Sequence, residues 1–158
     1  MVKRGHPRWT RGLFAPGDLE AIADAVAAAE RETSAEIRVH LDRRLPKQPD
    51  APAGDALAGA RAVFVRLRMH ETAERNGVLV YLAVEDRKLA IVGDEAIHAR
   101  VGEAYWAGVR DAMVERLRRG AAREAVLHAV SDVGAILRQF FPRRPDDRNE
   151  LSDQVSLG

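Results

Sequence analysis

The chain of 158 residues contains no cysteine. That absence removes disulfides, thiolate metal sites and cysteine nucleophiles together. It also lacks an excess of either charge: 31% of residues are charged, yet the formal net charge is only +1. A balance this even gives no strong field to gather nucleic acid or an anionic membrane, so neither is expected as a partner. Lysine is scarce as well. Of 25 basic residues only Lys3, Lys47 and Lys88 are lysine and the rest are arginine, a bias that genome composition or a hot habitat would produce alike. No apolar run is long enough to span a bilayer, and the opening "MVKRGHPRWTRGLFAPG" has no apolar core of a signal peptide. A cytoplasmic, monomeric protein is the expectation. P-loop, Gly-rich dinucleotide turn and nucleophile elbow are all missing. The five histidines, 6, 40, 70, 98 and 128, have no ligand spacing and read as surface or helix residues.

What the chain does have is periodicity. "RNGVLVYLAVEDRKLAIVGD", residues 75–94, holds two apolar runs joined by Glu85-Asp86-Arg87-Lys88. Short β-branched runs around a polar turn predict an antiparallel hairpin. Their unbroken apolarity predicts cover on both faces of the sheet. Upstream, Ile37, Val39 and Leu41 alternate with Glu36, Arg38 and His40, predicting a half-buried strand.

Helical spacing appears five times. "APGD" starts a helix with Leu19, Ile22, Val26 and Ala29 on one face, and Asp18 and Glu20 suit its N-terminus. A second carries Leu57, Ala60, Phe64 and Leu67 and ends near Met69. A short one through Ile97 and Val101 leads to another with Trp106, Val109, Met113 and Leu117, broken at Gly120. The last shows Val126, Val130, Val133, Leu137 and Phe140, and Pro142 stops it. The predicted architecture is an α/β/α sandwich, with about five helices around a mixed sheet of three to four strands. The expected divisions are an N-terminal arm over 1–13, loose but docked through Trp9, Leu13 and Phe14, then a domain over 14–142. A polar tail over 143–158 is expected to dock or to fray.

Topology then predicts a site. A helix between strands 37–41 and 77–84 makes them parallel neighbours, so they begin at the same sheet end, and the hairpin returns Asp94 there. Glu32, Thr33, Ser34, Glu36, Glu71, Thr72, Asn76 and Asp94 should share that edge. Oxygen donors without cysteine or paired histidine suit Ca²⁺ or Mg²⁺ rather than zinc. Capping of backbone groups is the competing explanation for such residues at element ends.

Three segments together, "AAERETSAEIRVHL", "FVRLRMHETAERNGVLVYLAVEDRKLAIVGDEAIHARV" and "FFPRRPDDRNELSDQV", resemble the TPM-domain family, whose name covers a thylakoid-lumen phosphatase and photosystem-repair relatives. The chain is most similar to the family's short, free-standing bacterial members. The resemblance spans about residues 14–155 and implies an α/β/α sandwich that binds a divalent cation, chiefly Ca²⁺, at an acidic sheet end. Acid phosphatase activity has been attached to a plant relative. The family's "TSxEIRV", "RNGVL" and "GD" positions fall on Thr33, Glu36, Asn76 and Asp94, and its "NEL-D" segment on Asn149, Glu150, Leu151 and Asp153. One departure is Ala35, where a glycine is usual.

Two functions follow as expectations. The first is a Ca²⁺-binding interaction or maintenance module for an unidentified protein partner, with metal ligands drawn from Glu36, Asn76, Asp94, Glu32 and Glu71, and with Thr33, Ser34 and Thr72 on the same edge. The alternative is a metal-dependent phosphatase acting on a small phosphomonoester, with Glu36 or Asp94 as ligand or base. The sequence contains no Asp-x-Asp pair and no dense His/Asp cluster of the two-metal kind, which favours the first. Asp94→Ala is expected to leave the ion-free fold intact by removing a repelling charge.

Overall fold

The computed structural model describes residues 7–144 and 155–158. A four-stranded sheet has the order β3-β2-β1-β4, with β1 Ile37–Asp42, β2 Val78–Ala83, β3 Lys88–Gly93 and β4 Ser156–Leu157. β1 and β2 are parallel with Ile37 opposite Val78, and β2 and β3 are antiparallel with Val78 opposite Gly93. β4 adds to the far edge of β1, parallel, pairing His40 with Ser156.

The helices are α1 Asp18–Glu30, α2 Ala56–Arg66, α3 Glu95–Val101, α4 Glu103–Arg118 and α5 Ala122–Phe140. α2 covers one face of the sheet, over Leu79, Tyr81, Ala83 and Ala90. The other four cover the opposite face, which presents Ile37, Val39, Leu41, Val78, Val80 and Leu82. Both faces of β2 are therefore buried along its whole length. This is the physical reason its sequence is continuously apolar rather than alternating. Five helices about a mixed sheet make an α/β/α sandwich. Among the described residues no helix is long and apolar enough to cross a membrane.

Three expectations change. The arm is not loose from residue 8 onward. Arg8–Gly12 form a 3-10 helical turn, and Phe14, 2% exposed, belongs to the main core. Trp9 and Leu13 pack against the same core, and that burial offsets the entropy of ordering the segment. The second helix stops at Arg66, and Met69 begins a separate 3-10 turn, Met69–Glu71, after Arg68 takes a left-handed φ of 61°.

The third change concerns β1, which is not half-buried. Glu36, His40 and Asp42 are as enclosed as their apolar neighbours. Polar side chains can alternate inside a fold when they satisfy one another. His40 does so: it is a buried strand residue, not a surface one, with Nδ1 2.8 Å from Ser156 Oγ and Nε2 3.0 Å from Asp42 Oδ1. Tyr81 donates from its hydroxyl to Asp42 Oδ2 at 2.8 Å, and the Tyr81 and His40 rings stack with centroids 6.0 Å apart.

Candidate functional site

The sheet end where β1 and β2 begin and β3 finishes is tied together by backbone. Val78 N–H donates to Glu36 C=O at 2.9 Å, and Asp94 N–H donates to Gly77 C=O at 2.9 Å. Gly77 sits close under the Met69 carbonyl: a Cβ there would lie 3.2 Å from that oxygen, a tight contact. The predicted convergence of segments 33–36, 72–76 and 94 is what the register produces.

Within it, Thr33, Glu36, Thr72, Asn76 and Asp94 are all buried. Their roles differ. Thr33 donates its hydroxyl to the Phe141 carbonyl and pairs with Pro142, so it anchors the chain leaving α5. Ser34 N–H binds the same carbonyl at 2.9 Å, while its Oγ lies 3.3 Å from Glu74 Oε2. Glu74 also accepts from the Asn76 amide nitrogen at 3.5 Å and meets Arg144 at 3.1 Å. Thr72 Oγ1 is buried and has no hydrogen-bond partner among the described residues.

Asp94 is committed elsewhere. Its Oδ1 caps α3 by accepting from Glu95 N–H at 2.8 Å, and both oxygens are gripped by the Arg75 guanidinium. Its charge is therefore neutralised within the fold. The expectation that Asp94→Ala relieves repulsion is overturned. The hydrogen bond to Asp94 also pushes the Arg75 guanidinium above its already high range, which fixes it as a cation.

Glu32 and Glu71 do not join the buried group. Glu32 points outward to Arg138 at 2.9 Å, and Glu71 outward to Arg68 at 2.7 Å. Asn149, Glu150, Leu151 and Asp153 lie outside the described residues. Among the described residues, no three His, Cys, Asp or Glu side chains form a ready-made metal cage.

Three participants are absent from the sequence-based site. Glu30, 1% exposed at the end of α1, and the half-buried Arg38 on β1 form a charge group with the buried Glu36. Burial pulls the Arg38 guanidinium below its ordinary range, and the charges of Glu30 and Glu36 oppose that pull. Glu74 is the third. In sequence Arg38 is a polar position alternating on a strand, and nothing there singles out Glu30. Glu74 stood beside Asn76 in "AERNG", a spacing that could have flagged it.

The likeness to known proteins agrees with the fold. The family model described as TPM domain matches residues 9–136. The solved structure of the BA42 protein from the psychrophilic bacterium Bizionia argentinensis is similar over 92% of this chain and 95% of that one, with 34% identity and a TM-score of 0.78. The N-terminal domain of a protein from P. gingivalis shares the fold at 22% identity and a TM-score of 0.56, over 82% of this chain and 80% of that one. No curated protein matches. With the family model covering most of its length, the chain belongs to the TPM-domain family.

Proposed function

We propose that this TPM domain is a divalent-cation-binding module, for Ca²⁺ before Mg²⁺, that serves the assembly or maintenance of a protein partner. The observation that carries the reading is the orphaned Thr72 hydroxyl, buried at the same sheet end as Glu36 and Asn76. A buried polar atom without a partner costs free energy and calls for an explanation, an ion among them. The donor set fits a hard cation. Glu36 and Glu74 carry carboxylates, Asn76 an amide oxygen, and Thr72 and Ser34 hydroxyls. Ca²⁺ takes about six to eight oxygens, so backbone carbonyls and water complete the shell. With two carboxylates and no dense cage, modest affinity is expected. Asp94, held by Arg75, is set aside as a ligand.

Calcium titration of chelator-treated protein, followed by calorimetry and thermal unfolding, tests this. A cation bound only by the folded state adds about 2.7 kcal/mol at a hundredfold excess over Kd. The melting temperature should then rise by several degrees for a domain this size. Glu36→Gln and Thr72→Val should each lose most of that rise. No response at millimolar Ca²⁺, or an undiminished one in Glu36→Gln, overturns the reading. Metal-dependent hydrolysis of a simple phosphomonoester that disappears in Glu36→Gln would replace the interaction module with the phosphatase.

A further inference from the structure

At the opposite end of the β2–β3 hairpin, five aliphatic side chains, among them Leu82, Leu89 and Leu117, line a cavity of about 210 Å³. Its charged lining residues are Arg87, in the hairpin turn, and Arg118, the last residue of α4. Among the described residues no carboxylate lines it.

What sets the hollow apart is that two arginines line it together. Arg43, Arg44, Arg68, Arg75 and Arg138 all meet carboxylates. The Arg87 and Arg118 side chains make no ion pair or hydrogen bond with any described residue. Acids stand beside Arg87 in its own turn, but they are spent elsewhere. Glu85 is shared by Arg43 and Arg44, and Asp86 accepts from Leu45 N–H at 2.6 Å.

Arg87 also occupies a left-handed backbone position, φ 52°, in a hairpin turn. Glycine or asparagine adopts that conformation at less cost, and hairpin turns favour them there. A helix C-terminus accounts for a basic residue at Arg118 on its own. It does not account for a second guanidinium brought to the same apolar hollow from a strained turn.

We propose that this cavity binds a small amphiphilic carboxylate, with its anionic head between Arg87 and Arg118 and a short aliphatic or single-ring body on the leucine floor. Guanidinium groups match the planar carboxylate with paired N–H donors. The aliphatic floor rewards an apolar body, because covering it removes apolar surface from water. The volume lies below the usual span of ligand sites, about 300–1,000 Å³, which limits the body to a short chain or one ring. The site is remote from Glu36 and independent of the cation reading.

Hexanoate is the probe, with hexanol supplying the body alone and inorganic phosphate the charge alone. Methyl resonances of Leu82, Leu89 and Leu117 report occupancy. Hexanoate should shift all three and bind at least tenfold more tightly than hexanol or phosphate. Arg118→Gln and Arg87→Gly should each weaken it at least tenfold. Arg87→Gly separates binding from folding, since glycine relieves the left-handed turn and should raise the melting temperature while binding falls. Equal binding of hexanol means a merely apolar crevice and overturns the proposal. So do equal binding of phosphate, silent leucine methyls, or undiminished affinity in the two variants.

Discussion

Arg75 holds Asp94 with two prongs of its guanidinium, Nε to Oδ2 at 2.8 Å and Nη2 to Oδ1 at 3.0 Å. Asp94 is buried, whereas 42% of the Arg75 side chain is exposed, so the pair sits at the boundary between core and solvent. Arg75 accepts a left-handed φ of 52°, and its carbonyl takes the Ala96 N–H at 3.0 Å. One residue therefore fastens the start of α3 to the turn before β2 by backbone and side chain together.

Removing Arg75 should be costly because it leaves a buried carboxylate with only its cap. Arg75→Ala should lower stability, because it leaves the buried Asp94 carboxylate without its hydrogen-bonded countercharge. A double-mutant cycle with Asp94→Ala in chemical denaturation should give a coupling larger than that of an exposed ion pair. A smaller value would class the pair with ordinary surface ion pairs. Asp94→Asn, in turn, should leave the Ca²⁺-induced rise in melting temperature largely in place.

The acid limb of stability should trace to Asp42. Burial pushes its carboxyl upward, but hydrogen bonds from His40 and Tyr81 outweigh this and hold it below the ordinary carboxylate range. A depressed carboxylate contributes stability that is present above its unfolded pKa, about 3.9, and is lost as pH falls through the folded value. The wild-type protein should therefore lose stability steeply below about pH 4, as Asp42 protonates. Asp42→Asn should be less stable at neutral pH and show a shallower acid limb. Thermal unfolding from pH 7 to pH 3 measures both. Tyr81, whose hydroxyl burial pushes up, stays protonated throughout and remains a donor.

The parts of the fold that were legible in sequence are those where one residue pattern has one physical solution. The hairpin and its parallel partner follow from two apolar runs, a polar turn and an intervening helix. The register then delivers Glu36, Asn76 and Asp94 to one end. The partners of those residues were not legible. Arg75 could have paired with any of several acids, and only the left-handed turn aims it at Asp94. His40 alternates with valine and leucine like a surface residue, because period two cannot tell water from Asp42 and Tyr81 as its company. Glu32 and Glu71 carry the right chemistry, but Glu32 lies past the end of α1 and Glu71 closes the 3-10 turn, and they pair outward with Arg138 and Arg68.

Gly93, the last residue of β3, makes room for Trp106. A Cβ at Gly93 would collide with the six-membered ring of that indole, which is 6% exposed on α4. Trp106 is further pinned by donating Nε1–H to His98 Nδ1 at 3.1 Å, so it cannot swing aside without losing a hydrogen bond. The strand ends in glycine here because of close approach rather than a special backbone angle. Gly93→Ala should then destabilise by about 1–3 kcal/mol, the range for overpacking a filled core. For a domain of this length that is roughly 2–12 °C in melting temperature. Trp106→Leu alone should also destabilise, by leaving a cavity. The two changes together should cost less than their sum, since leucine vacates the space that the new methyl needs. Additive losses across the cycle would show that the indole does not set the size limit at position 93.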